Sequence, residues 1–408
     1  MTLSQILAVL ISIAAVFSYI NHRFIRLPST IGLMLMALCL SLLILLLDQF
    51  GFDLARLAEP LVYGFAFDEA LLHGMLSFLL FAGALHVNLN DLAQQKWVIF
   101  ILATFGIVLS TAIIGLVTWW LFSVMGFNIS FLYCLLLGSL ISPTDPIAVL
   151  GILKKVGVSK TLETKITGES LFNDGVGVVI FLAILGLITG GGDLQISEVM
   201  MLFVVEAIGG IAFGLIIGAI AFYMLKSVNQ YQVEILTTLA LVMGGYALAE
   251  YIHVSAPIAI VVAGLMIGNH GRLMAMSDET REHVDTFWEL LDEILNAILF
   301  VMIGLEILVV SLRADYLMAG LILIPIVLLT RLVSVGLPIS FMRNFREFSP
   351  RVITILTWGG LRGGISVALA LSLPSGTEKE LILTVTYCVV IFSIMVQGLT
   401  IGKLINRK

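Results

Sequence analysis

Three short runs in this sequence combine residue types able to bind and release a small ion. The first is Ser142-Pro143-Thr144-Asp145-Pro146. Proline lacks an N–H and clashes with the carbonyl four residues back, so Pro143 and Pro146 free the carbonyls of Ser139 and Ser142. Beside them stand the Thr144 hydroxyl and the Asp145 carboxylate. All are hard oxygen donors, suited to an alkali cation and poorly suited to a soft metal. The second run is Gly168-Glu169-Ser170-Leu171-Phe172-Asn173-Asp174-Gly175. On a helix, Ser170, Asn173, Asp174 and Gly177 share one face, with Glu169 beside the stripe. Gly175 and Gly177 let another backbone approach. The third is Trp358-Gly359-Gly360-Leu361-Arg362-Gly363-Gly364. Four glycines around one arginine do not remain regular helix.

What surrounds these runs is apolar. The chain has 408 residues, 60% of them hydrophobic and only 12% charged, against roughly 25% charged in a soluble domain. Most of the chain must face lipid or other lipid-embedded helices, which makes it a polytopic membrane protein. A net charge of −6 excludes the basic footprint of a nucleic-acid binder. Cys39, Cys134 and Cys388 lie in apolar runs, so neither a disulfide framework nor a thiolate metal site is suggested. The first apolar run, Leu3 to Ile20, lacks a basic leader and a small-residue cleavage site, and is expected to be a retained helix.

Runs of bilayer-crossing length number about thirteen. They fall near 3–20, 27–47, 71–89, 97–122, 131–153, 163–188, 196–225, 231–252, 255–270, 282–310, 314–341, 349–373 and 379–402. With the N-terminus outside and the C-terminus cytoplasmic, sixteen Lys and Arg residues lie inside, Lys154, Lys155, Arg407 and Lys408 among them. Only Arg56, Arg313 and Lys379 lie outside, as the positive-inside rule requires. Arg331 and Arg362 fall within spans.

An aspartate within a span costs about 2.5–3.5 kcal/mol and so marks function before it marks structure. The bland alternatives are a proline kink, a polar helix seam and a flexible hinge. The placement of the breaks argues against them. Spans 1–6 and 8–13 form two sets of six, and each set is interrupted in its fifth member, which is the mark of an inverted-repeat transporter. The expected fold is therefore all-α, with six-helix inverted-topology repeats and two broken helices crossing near the midplane. Asp145, Glu169 and Asp174 against Arg331 and Arg362 leave a charge of −1 in the membrane. Unpaired, three carboxylates would cost about 8–10 kcal/mol. The sensible partition pairs Glu169 with an arginine and leaves Asp145 and Asp174 on a cavity, where two close carboxylates titrate together. Such a pair holds a proton or a monovalent cation, not both, and that competition is sufficient for exchange.

Thr144-Asp145-Pro146, the Glu169 to Gly175 run and Gly360-Leu361-Arg362-Gly363-Gly364 resemble the signature of the monovalent cation:proton antiporters. The branch is that of the NhaP-type prokaryotic proteins and the animal sodium/proton exchangers, and the likeness extends over essentially the whole chain. The resemblance implies a transporter, not an enzyme, with no cofactor beyond the transported Na⁺ and H⁺. It implies a homodimer in a cell (plasma or inner) membrane, with residues 3–89 and 231–310 as scaffold. Residues 97–188 and 314–402 would be the transport core, and 196–225 the connecting helix. Asp174 would carry the ion or proton, while Asp145, Ser170 and the Thr144 carbonyl complete the Na⁺ shell. Asn173 stands where electrogenic relatives have a second Asp, in agreement with 1:1 electroneutral exchange of Na⁺ (or Li⁺) for H⁺. Glu169 would pair with Arg331, and Arg362 would be the second buried arginine of the core. The sequence ends at Lys408, so regulation through the long cytosolic tail of the animal exchangers is not expected.

Other readings are a K⁺/H⁺ or broad-range antiporter and, more remotely, a cation channel, which would more often show a pore loop or a ring of like residues. Neither Asp145, which follows Pro143-Thr144, nor Asp174, which follows Phe172-Asn173, stands in the Gly-x-Gly-Asp run of intramembrane aspartyl proteases, and the Gly-x-Ser-Gly elbow of serine-type ones is absent. Asp278 to Glu293 reads as an amphipathic lead-in to the tenth span. His86 reads as a packing histidine, Glu206 has no evident partner, and the acidic loop from Asp48 to Glu69 reads as a solvated connection. Asp174→Asn is expected to abolish exchange in proteoliposomes while leaving a folded protein; exchange at the native rate would remove Asp174 from the mechanism. Replacing Glu169 or Arg331 singly is expected to lower thermal stability first, since each leaves a buried charge behind.

Overall fold

The computed structural model describes residues 2–51, 67–146, 149–151, 153, 158–190, 196–346, 348–349 and 351–406. Arg56, Lys154, Lys155, Arg407 and Lys408, and most of the loop from Asp48 to Glu69, lie outside the described residues.

The principal helices in chain order are α1 (Leu3–Ile20), α2 (Ser29–Gln49), α3 (Leu76–Leu85), α4 (Leu89–Ala103), α5 (Phe105–Val124) and α6 (Phe131–Ile141). Then come α7 (Lys160–Thr189), α8 (Ile196–Ser227), α9 (Tyr231–Tyr251), α10 (Ala256–Met266) and α11 (Asp278–Leu305). The last are α12 (Ala314–Met342), α13 (Val352–Trp358), α14 (Gly364–Leu371), α15 (Thr377–Phe392) and α16 (Gly398–Asn406). Nine of the described helical stretches are long and apolar enough to cross a membrane unaided. A total of thirteen also requires the two interrupted segments, the short α10 stretch and the amphipathic α11. Both interruptions fall where the sequence places them, after α6 and between α13 and α14.

Local signals set the helix starts. Thr2 and Gln5 form a capping box at α1, which occupies two backbone N–H groups that have no partner within the helix. The Asn88 side chain accepts from the N–H groups of Asn90 and Asp91 at α4. A five-residue π-helical turn, Ser393–Gln397, joins α15 to α16 and keeps the last span continuous across an extra residue.

The helices sort into two compact units. One holds Met1–Leu71, Phe105–Ser159 and Asn296–Lys408, and the other Leu72–Thr104 and Lys160–Leu295. Within the first, α5 packs on α6, and α12 packs on α5 and α15. Within the second, α10 lies against α3 and α8, and α7 against α4. Small residues permit these approaches: a Cβ on Gly210 of α8 would sit 2.7 Å from the Ser255 carbonyl oxygen. Between lipid-embedded helices, attraction comes from such close van der Waals fit and not from expulsion of water. The start of α11 buries Val284 and Trp288 on its apolar face, as its periodicity predicts, and the Trp288 indole donates to the Thr238 hydroxyl at 3.0 Å.

In the first unit Gly304 of α11 faces α2 so closely that a Cβ would stand 2.5 Å from the Ala37 Cβ and 2.9 Å from the Leu38 nitrogen. Gly304→Ala must therefore spread two backbones. It is expected to destabilise by about 1–3 kcal/mol, read as an earlier thermal transition in detergent. Gly244→Ala, where the added methyl meets nothing within 4 Å, is expected to leave the transition unchanged or raise it.

Candidate functional site

The first unit brings the two breaks together. The Asp145 N–H donates to the Leu361 carbonyl at 2.8 Å, and the two residues form an isolated antiparallel bridge. Each interrupted segment thus supplies a backbone partner to the other. The bridge places the Asp145 backbone directly beside Leu361.

Arg362 completes the crossing. Its Nη1 donates to the Ser142 carbonyl at 2.5 Å and to the Pro143 carbonyl at 2.7 Å. The Ser142 carbonyl is one of the two that the prolines are expected to free for an ion. Its partner in the structure is the guanidinium of the opposite break. An arginine meets this need because its planar fork presents several donors and keeps its charge. The Ser142 hydroxyl donates to the Gly138 carbonyl at 2.7 Å and stands in hydrogen-bond contact with the Ser110 hydroxyl at 2.8 Å, which anchors the first break to α5.

The glycines flanking Arg362 make room for this arrangement. A Cβ on Gly363 would overlap the Asp145 carboxylate, and one on Gly360 would stand 2.7 Å from Arg331 Nε and 3.1 Å from Thr144 Cγ2. The first unit therefore gathers Thr144, Asp145, Arg331 and Arg362 around one glycine-lined crossing. Thr144, Arg331 and Arg362 are buried, while Asp145 is half-buried. Arg331 and Arg362 also line a cavity with Thr357, Gly360 and Gln397.

The second unit carries the other predicted residues on the unbroken α7. Glu169, Ser170 and Asn173 are buried, Glu169 to 1% exposure, and Asp174 is half-buried. Asp145 and Asp174 thus keep part of their surface exposed, and Glu169 does not. At Gly168 of α7 a Cβ would lie 2.6 Å from the Ile99 side chain of α4. At Gly175 the nearest atom belongs to Ile258 of α10, 3.2 Å away.

Several relevant groups escaped the sequence reading. The partner of the Ser142 carbonyl is one, because the contact spans 220 residues. Ser393 is another: its hydroxyl accepts the Arg362 N–H at 2.9 Å. Glu234 and Glu306 are buried acids at 1% and 3% exposure, which the rule flagging ionisable groups within spans would have found. Glu206, which sequence left without a partner, offers its backbone carbonyl to the Ser255 N–H at 3.1 Å.

Breaks that cross and satisfy one another, in an apolar helical chain, define a membrane transporter fold of the inverted-repeat kind. The family model described as "Sodium/hydrogen exchanger, transmembrane" matches residues 11–407, and the chain belongs to that family. It is 52% identical over 408 residues to the Na⁺/H⁺ antiporter NhaP of Pseudomonas aeruginosa, covering 99% of this chain and 96% of the relative. It is 34% identical to the Na⁺/H⁺ antiporter NhaH of Halobacillus dabanensis, covering 98% and 96%. The fold matches the solved structure of the sodium proton antiporter MjNhaP1 from Methanocaldococcus jannaschii with a TM-score of 0.78 at 18% identity, covering 100% of this chain and 99% of the other.

Gly363→Ala is expected to displace the Asp145 carboxylate and raise the Na⁺ concentration for half-maximal exchange about tenfold or more, since overpacking at such a contact costs about 1–3 kcal/mol. An unchanged Na⁺ dependence would show that Asp145 does not need this position.

Proposed function

We propose that this protein is a secondary active transporter that exchanges Na⁺ (or Li⁺) for H⁺ across a cell membrane by alternating access. The observation that carries the reading is the pair of crossed breaks, which leaves Asp145 half-buried between two irregular backbones. Irregular backbone at membrane depth is tolerated where protein satisfies it or where it lines a water-filled path. Membership of the exchanger family and the two relatives named as Na⁺/H⁺ antiporters support the choice of ions.

In this reading Asp174 carries either a cation or a proton. Asp145, Ser170 and the Thr144 carbonyl complete the cation shell, with Asn173 beside them as a neutral group. Asn173 in place of a second acid supports one cation for one proton, hence electroneutral exchange. Glu169 and Arg331 form the structural pair, and Arg362 holds the crossing. Residues 97–188 and 314–402 move against a scaffold of 3–89 and 231–310, with 196–225 connecting the repeats. The transporter works as a homodimer in the plasma or inner membrane, with the N-terminus outside and the C-terminus cytoplasmic.

Proteoliposomes with an interior pH dye test the reading. With a pH gradient imposed, Na⁺ and Li⁺ are expected to drive proton movement while K⁺ and choline do not. Clamping the membrane potential is expected to change neither response. A response to K⁺ as well would make the protein a broad-range or K⁺/H⁺ exchanger. No response to any cation would sink the antiport reading and favour the channel.

A further inference from the structure

The last span holds a polar pair that the proposed ion shell does not use. Ser393 and Gln397 stand at either end of the π-helical turn between α15 and α16, and both are buried, at 1% and 3% exposure. Each faces the second break. The Ser393 hydroxyl accepts the Arg362 N–H at 2.9 Å, and Gln397 Nε2 donates to the Trp358 carbonyl at 2.9 Å. These are the two kinds of backbone group, one donor and one acceptor, that an interrupted helix leaves without helical partners. The indole of Trp358 is held in turn by the Thr400 hydroxyl of α16 at 2.9 Å. The last span thus grips both ends of the break.

The sequence relation between the two halves adds a second line of argument. In an inverted repeat of six spans, the thirteenth span is the counterpart of the sixth. The sixth reads Ser170-x-x-x-Asp174-Gly175, and the thirteenth reads Ser393-x-x-x-Gln397-Gly398. A serine, a polar residue four positions on and a glycine directly after it recur in the same order, each pair directed at one face of its span. Where the first half carries the carboxylate assigned to the ion, the second half carries a neutral amide.

We infer that Ser393 and Gln397 are the repeat-related counterparts of Ser170 and Asp174 with a different role. They position the second break, and through it Asp145, for cation binding. The route is short. Ser393 fixes the backbone nitrogen of Arg362, whose side chain holds the Ser142 and Pro143 carbonyls. The neighbouring Leu361 carbonyl receives the Asp145 N–H. Gln397 fixes the start of the same loop at Trp358. The amide suits this work because it can donate to a carbonyl, which an ionised carboxylate cannot. It also adds no second titrating charge on its side of the repeat, so exchange runs on one set of acids. Neither residue touches the ion; both are positioning residues, and the assignment rests on the antiport reading above.

The test compares Ser393→Ala, Ser393→Thr and Gln397→Met in the full chain. Na⁺ binding is measured on purified protein by competition with radioactive Na⁺, and Na⁺-driven exchange is measured in proteoliposomes. Losing one neutral hydrogen bond at these positions is expected to weaken Na⁺ binding about three- to tenfold in Ser393→Ala and in Gln397→Met. The half-maximal Na⁺ concentration for exchange should rise by a similar factor, with the maximal rate kept within about twofold. Ser393→Thr, which retains the acceptor, should bind Na⁺ within about twofold of the wild type. Wild-type Na⁺ affinity in both Ser393→Ala and Gln397→Met overturns the proposal. So does a loss confined to the maximal rate, or to the amount of folded protein, with affinity intact. Absence of exchange by the wild type, with Na⁺ binding still sensitive to both residues, overturns the antiport reading and leaves the positioning role standing.

Discussion

The structure around the first break depends on one guanidinium. Two prolines interrupt a helix in surroundings with no water to spare, and the carbonyls they release must find donors within the protein. Arg362 supplies the donor for Ser142 and holds the neighbouring Pro143 carbonyl as well, reaching both from the opposite break. A buried, unpaired arginine would be expensive, and so would buried, unpaired carbonyls. Together each removes much of the other's cost, and the two breaks become a single unit. The Asp145–Leu361 backbone bond then follows as a consequence of their being held side by side.

This arrangement explains the glycine-rich composition of the second break. Gly360 and Gly363 sit against Arg331, Thr144 and the Asp145 carboxylate with no room for a side chain. Glycine is costly in a helix because it loses the most freedom on ordering. Here the geometry of the site demands that cost. The Ser393–Gln397 turn answers the same demand from the last span, giving the loop one donor and one acceptor at fixed positions. A looser loop would let Asp145 drift, and the proposed ion site, with few oxygen ligands, would tolerate little drift.

Under the proposed roles, the half-buried state of Asp145 and Asp174 beside the full burial of Glu169 has an electrostatic rationale. A carboxylate that must trade a proton for a hydrated cation needs contact with water. One that balances an arginine is better kept from it, since its pairing strengthens as water is excluded. In the proposed exchange cycle the three acids are thus set apart by exposure more than by residue type.

Composition and spacing alone determined much of this protein. The excess of apolar residues made it a membrane protein, and the positions of Pro143, Pro146 and the four glycines located both breaks, because proline and glycine act on their own few neighbours. The matched breaks in spans five and twelve then led to the inverted-repeat reading, and Asp145, Glu169 and Asp174 stood out because acids are rare in spans. The tertiary structure decided what those breaks bond to. That Arg362 would meet the Ser142 carbonyl, that Leu361 would pair with Asp145, and that Ser393 and Gln397 would brace the loop all depend on segments between about thirty and more than two hundred residues apart meeting in space. Long-range partners of this kind leave no local pattern. A serine on an apolar helix reads the same in sequence whether it faces a backbone N–H, another helix or nothing.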